Sequence, residues 1–100
     1  MSAYLVFNYT ITNPEGYKPY PAAAFPSIAT SGAEVLVADY ESEAREGSPG
    51  KVTVVLRFES KEAATAWYES DAYQAVRHLR TDNADGMTVL CDGFTMPSSA

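Results

Sequence analysis

Four short runs of this chain read as β-strands that carry valine, leucine, phenylalanine and tyrosine on both of their faces. In residues 3–11, AYLVFNYTI, Leu5, Phe7, Tyr9 and Ile11 share one face while Tyr4, Val6, Asn8 and Thr10 share the other, the period-two pattern of a strand. Residues 33–40 set Val35 and Val37 opposite Leu36 and Ala38. In residues 51–59, Val52, Val54, Leu56 and Phe58 stand opposite Lys51, Thr53, Val55 and Arg57. MTVLCDGF, residues 87–94, is the last strand. A sheet of such strands has two apolar faces, and a chain of 100 residues carries helices enough for one of them. The other face calls for a second copy of the chain.

The segments between the strands supply the helices. Asn13-Pro14-Glu15 places a cap, a proline at the first helical position and an acid in the first turn. Pro19, Pro21 and Pro26 then interrupt the helix, because each removes a backbone donor and crowds the preceding turn. The expectation is a first turn near 14–18 and a main segment near 20–30, kinked before Pro26. Ser31-Gly32 closes it. Residues 41–50, ESEAREGSPG, form an acidic solvated loop. Ser60 caps a helix over KEAATAWYE, and Ser70-Asp71 starts a further segment in which Tyr73, Val76 and Arg80 stack on one side. TDNADG, residues 81–86, has turn chemistry, and 95–100 is a polar tail expected to fray.

The order β-α-β-β-α-β folds, under the right-handed crossover rule, into a ferredoxin-like α+β domain: a four-stranded antiparallel sheet with its helices on one face. One domain over residues 1–94 is expected. The bare face predicts a homodimer.

Charge and cysteine content exclude several classes. A net charge of −6, with seven scattered basic residues, argues against nucleic acid. No apolar stretch approaches a membrane span, and the N-terminus lacks a basic signal region, so a cytoplasmic protein is expected. One cysteine and one histidine offer no internal disulfide and no zinc cluster. Gly-rich phosphate loops, nucleophile elbows, redox cysteine pairs and fixed carboxylate pairs are all missing, so no metal and no cofactor is expected.

Asn13-Pro14-Glu15-Gly16-Tyr17 with Tyr20, Glu46-Gly47, Phe58, Ser60, Trp67-Tyr68-Glu69-Ser70 with Tyr73, and Arg80 together resemble the DUF1330 family, a domain of unknown function in the dimeric α+β barrel superfamily. The Trp-Tyr-x-Ser-x-x-Tyr string is the most specific piece, and the resemblance spans residues 3–94. Asn13 stands where the family usually has aspartate, Glu59 where it has proline, and the prolines of the first helix are extra. The resemblance implies a homodimer with a pocket between helices and sheet, and no set reaction.

Arg80 is the leading candidate for chemistry, since its guanidinium keeps its charge and suits an anion. It either anchors a ligand or pairs with Glu46 or another acid. Tyr73, seven residues earlier on the same helical face, either joins it at an anionic ligand or packs in the core. Trp67 is an aromatic wall or a packing anchor. Tyr17 and Tyr20 are hydroxyl handles at a cavity mouth or residues of a helix–sheet seam. His78, the one residue of a type whose unperturbed pKa lies near neutrality, is the default acid or base, yet it points away from the Tyr73–Arg80 face. Asn8, Asn13 and Asp92 are ligand-orienting groups or plain caps and turn residues.

These residues support two readings. One is a cofactor-independent enzyme of oxygenase, isomerase or cyclase type acting on a small anionic or aromatic compound, by analogy with the superfamily. The other is a binding or structural homodimer without turnover.

Overall fold

A computed structural model describes residues 1–97. Its elements are β1 (Ala3–Ile11), α1 (Pro14–Tyr17), α2 (Tyr20–Thr30), β2 (Glu34–Asp39), β3 (Val52–Phe58), α3 (Lys61–Tyr68), α4 (Asp71–Thr81) and β4 (Ala84–Asp92). The strands form one antiparallel sheet in the order β2-β3-β1-β4. This is the ferredoxin-like α+β arrangement. Leu5, Phe7 and Tyr9 of β1 and Val52, Leu56 and Phe58 of β3 are buried under the helices, where they meet Tyr20, Ala24, Ala64, Trp67 and Tyr73.

The caps lie where the residue chemistry puts them. The side-chain oxygens of Asn13, Ser60 and Ser70 accept from the backbone N–H groups of Gly16, Ala63 and Tyr73, each satisfying an otherwise orphan donor. The proline-broken segment divides into α1 and α2 at Lys18-Pro19, and α2 continues through Pro26.

Two boundaries differ from the expectation. β4 begins at Ala84, inside the predicted turn, and ends at Asp92 instead of residue 94. The Asn83 carbonyl accepts from both Thr12 and Asn13, which draws Ala84 onto Ile11 and starts the β1–β4 ladder early. This tertiary pairing overrides local turn propensity. In β2 the simple alternation also fails. Val35 pairs with Leu56 but Val37 pairs with Val55, so a bulge at Leu36 puts Val35 on the same face as Ala38 and opposite to Val37.

The far face of the sheet carries Tyr4, Val6 and Val55, half-buried by their neighbours, together with Val37, Met87 and Val89, exposed at 39%, 60% and 43%. Among the described residues no helix is long and apolar enough to cross a membrane. The tail expected over 95–100 falls partly outside the described residues; Thr95–Pro97 are exposed and lack regular structure.

Candidate functional site

Between α2 and the helix-covered side of the sheet lies a cavity of about 150 Å³. Phe7 and Tyr9 of β1, Tyr20 and Ala24 of α2, Leu56 of β3 and Trp67 of α3 form its walls. The bulge at Leu36 matters here, because it turns Val35 and Ala38 toward the same space. Phe25, 60% exposed, stands at the rim. The wall contains no lysine, arginine, histidine, carboxylate or side-chain amide, so its polar features are tyrosine hydroxyls and one indole. The indole N–H of Trp67 already donates to Ser27 Oγ at 3.0 Å.

The tyrosines form two hydrogen-bonded sets. Tyr17 sits between Tyr9 and Tyr40, with oxygen separations of 2.6 and 2.8 Å. Tyr20 bonds Tyr73 at 2.6 Å. Burial pushes the Tyr9 phenol up to about 12, although its bond with Tyr17 works the other way. Burial likewise raises Tyr17 and Tyr20 well above the ordinary phenol range, helped by their phenol neighbours. At neutral pH these three hydroxyls are therefore protonated donors.

Arg80 lies behind this wall. Tyr73 and Arg80 are both buried, seven residues apart on one face of α4, as helical spacing requires. Arg80 Nη2 donates to the Tyr73 oxygen at 3.4 Å, and its guanidinium carbon lies 5.1, 5.8 and 5.9 Å from the ring centres of Phe7, Tyr9 and Tyr20. Its Nε is buried with no hydrogen-bond partner among the described residues. No ion pair found among the described residues includes Arg80. Burial opposes its charge, but the oxygens of Tyr73 and Tyr20 outweigh that and hold its pKa above the usual guanidinium value. The result is a buried cation caged by rings, with π-faces and one phenol in place of a carboxylate.

The pairing of Arg80 with Glu46 is not formed. Glu46 is exposed in the loop after β2, whose acidic run is solvated as its composition suggests. Asn13 is an exposed helix cap, and His78 is exposed on the outer side of α4; neither lines the cavity. Tyr17 stands one hydrogen bond behind the wall, while Tyr20 and Trp67 are part of it. Asn8 clamps the end of the long loop: its Nδ2 donates to the Gly50 and Val52 carbonyls and its Oδ1 accepts from Gly50 N–H. Asp92 pairs with Lys61 at 3.4 Å. Sequence reasoning overlooked Tyr9 and Tyr40. Tyr9 carried a signal, since it alternates with Leu5 and Phe7 on the buried face; Tyr40 had none, because the bulge hides the phase of β2.

No curated protein matches the chain. Solved structures do. A protein of unknown function from Rhodopseudomonas palustris, RPA0582, superposes with a TM-score of 0.74 at 11% identity, covering 95% of this chain and 84% of that one. SnoaB, a cofactor-independent oxygenase from Streptomyces nogalater, gives 0.67 at 9% identity, with 95% of each chain covered. Rv0793 from Mycobacterium tuberculosis gives 0.61 at 15% identity over 98% of this chain and 100% of that one. At such identities the likeness is one of fold. The family match is more direct, because it spans residues 2–94 and so nearly every element described above. The chain belongs to the DUF1330 family, a domain of unknown function.

Proposed function

We propose that this protein binds a small, flat, mostly apolar compound carrying an acidic or enolisable oxygen, and that it acts on this compound without metal or organic cofactor, as an oxygenase, isomerase or cyclase. The observation that carries the reading is Arg80: a 7% exposed cation that has, among the described residues, no partner for its Nε and no paired acid, set behind the rings that wall an apolar cavity. A buried charge is normally paired, and an anionic ligand is the partner this arrangement lacks. Donors fixed around a developing negative charge are also a common source of rate enhancement. The shared fold of the cofactor-independent oxygenase SnoaB supports the enzymatic side.

A second reading, binding without turnover, is favoured by the place of His78. The one side chain whose ordinary pKa lies near neutrality is outside the cavity, and the raised phenols nearby donate protons instead of accepting them. The acting form in either case is a cytoplasmic homodimer joined through the bare sheet face, with residues 1–94 as its single domain.

The test is thermal melting with benzoate, phenylpyruvate and para-nitrophenol, on wild type and on Ala38→Leu, which fills the cavity from an exposed strand position. At least one compound raises the wild-type melting temperature, and the variant loses that rise. No rise with any compound, or equal rises in both proteins, contradicts the reading. Mass spectrometry of the aerated mixtures separates the two alternatives, since only an enzyme converts the bound compound.

A further inference from the structure

The cluster behind the cavity holds more protons than it has acceptors. Tyr20 and Tyr73 share one hydrogen bond, and Arg80 donates to the Tyr73 oxygen. Arginine has donors only. Were Tyr20 to give its proton to Tyr73, the Tyr73 oxygen would receive two donors and its own proton would be stranded on a side chain that is 0% exposed. The opposite direction strands nothing in the interior. Tyr73 then donates to Tyr20, and the surplus proton belongs to Tyr20, the one member of the trio that lines the cavity.

Resting on the ligand-binding reading above, we infer that the cavity is built for a single-atom oxyanion, a phenolate or enolate oxygen received by the Tyr20 hydroxyl and backed by Arg80 through Tyr73. A carboxylate fits poorly. It presents two oxygens with about four lone-pair sites and needs several donors once it leaves water. The wall has only tyrosine hydroxyls to offer: Trp67 Nε1 is taken up by Ser27, Tyr9 and Tyr40 are both engaged by Tyr17, and Arg80 itself is not at the wall. A phenolate or enolate carries one oxygen on a flat carbon frame over which its charge spreads, and such a frame suits an apolar space. The volume of about 150 Å³ is that of a cavity which takes a single benzene-sized ring. The orphan Nε of Arg80 is an independent sign, for it marks a buried cation whose field lacks a negative charge. Arg80 is thus a positioning residue. Through the Tyr73 oxygen it sets the direction of the phenol pair and aims the Tyr20 proton outward.

The experiment uses para-nitrophenol, whose ionised form alone absorbs visible light, with nitrobenzene and benzoate as its neutral and carboxylate counterparts. Bound para-nitrophenol ionises at a pH about one unit below that of the free compound, a tenfold preference for the phenolate. Tyr20→Phe and Arg80→Met each lose at least tenfold in phenolate affinity and leave nitrobenzene affinity unchanged. Tyr73→Phe cuts the link between them at constant ring volume and gives the same pattern, which covers the case of an Arg80 variant that fails to fold. Benzoate competes at least tenfold more weakly. An unshifted ionisation, or benzoate binding better than the phenolate, overturns the inference and leaves the cavity reading standing. Failure of all three compounds to bind overturns both.

Discussion

Arg80 is 7% exposed, ringed by Phe7, Tyr9 and Tyr20, and donates to the Tyr73 oxygen at 3.4 Å. Burying a cation costs several kcal/mol even after relaxation, and the three ring faces return about 2 kcal/mol each when desolvated. The two nearly offset. Arg80→Met, which keeps the volume and removes the charge, is therefore expected to cost no more than about 2 kcal/mol in a urea titration; a larger loss would make Arg80 a structural pillar. The buried phenols give a second prediction. Tyr9 is pushed from 10.0 to about 12 in the folded chain, and Tyr17 and Tyr20 are raised as well. A raised phenol pKa means the folded state holds its proton more tightly, so this stability is complete below pH ~10 and drains as pH climbs through the folded value. Urea midpoints should fall steeply between about pH 10 and 12, and Tyr17→Phe should make the fall shallower. A flat profile would show that these phenols titrate alike in both states. The Tyr73–Arg80 pair was legible from helical spacing alone. The partner of Arg80 was not, because a loop acid such as Glu46 gives no sign in sequence of where it ends up in space.

Strand β1 is the element on which the cavity depends. Its Asn8–Tyr9 segment runs between two glycines: a Cβ at Gly50 would meet the Tyr9 carbonyl, and one at Gly86 would meet the Asn8 carbonyl and Tyr9 Cβ. No side chain fits on either flank without moving Tyr9. Gly86→Ala should therefore destabilise by at least about 2 kcal/mol and weaken binding in the cavity together with stability; a neutral outcome by urea titration would mean that β1 and β4 separate freely there. The caps at Asn13, Ser60 and Ser70 and the division of the first helix by its prolines were readable because each rests on local chemistry. The bulge at Leu36 and the early start of β4 were not, because both arise from pairing with distant residues, Val55 and Leu56 in one case and Ile11 in the other. Those two features nonetheless shape the site, since the first turns Val35 and Ala38 to the cavity and the second sets Gly86 beside Tyr9.

At the scale of the molecule, the net charge of −6 repels anions at long range, so affinity for one has to come from the buried cation and not from the surface. Glu41, Glu43 and Glu46 of the loop after β2 add to that field and lie exposed. The sheet face with Val37, Met87 and Val89 exposed is the proposed dimer seam. A charge there is costly once covered, so Val89→Lys should yield monomers in light scattering at concentrations where the wild type is dimeric; a wild-type monomer at micromolar concentration would refute the seam. Element order and two-faced strands made the fold legible, whereas the cavity required the three-dimensional meeting of β1, β2, β3, α2 and α3. The central claim is that a buried cation acts on the cavity through two tyrosines. It is tested most directly by nitrogen-15 spectra of the arginine side chains during titration with para-nitrophenolate. The Arg80 Nε–H signal is expected to shift with the phenolate, stay in place with nitrobenzene, and no longer respond in Tyr73→Phe. An Arg80 signal that ignores the phenolate, or answers both compounds alike, would contradict it.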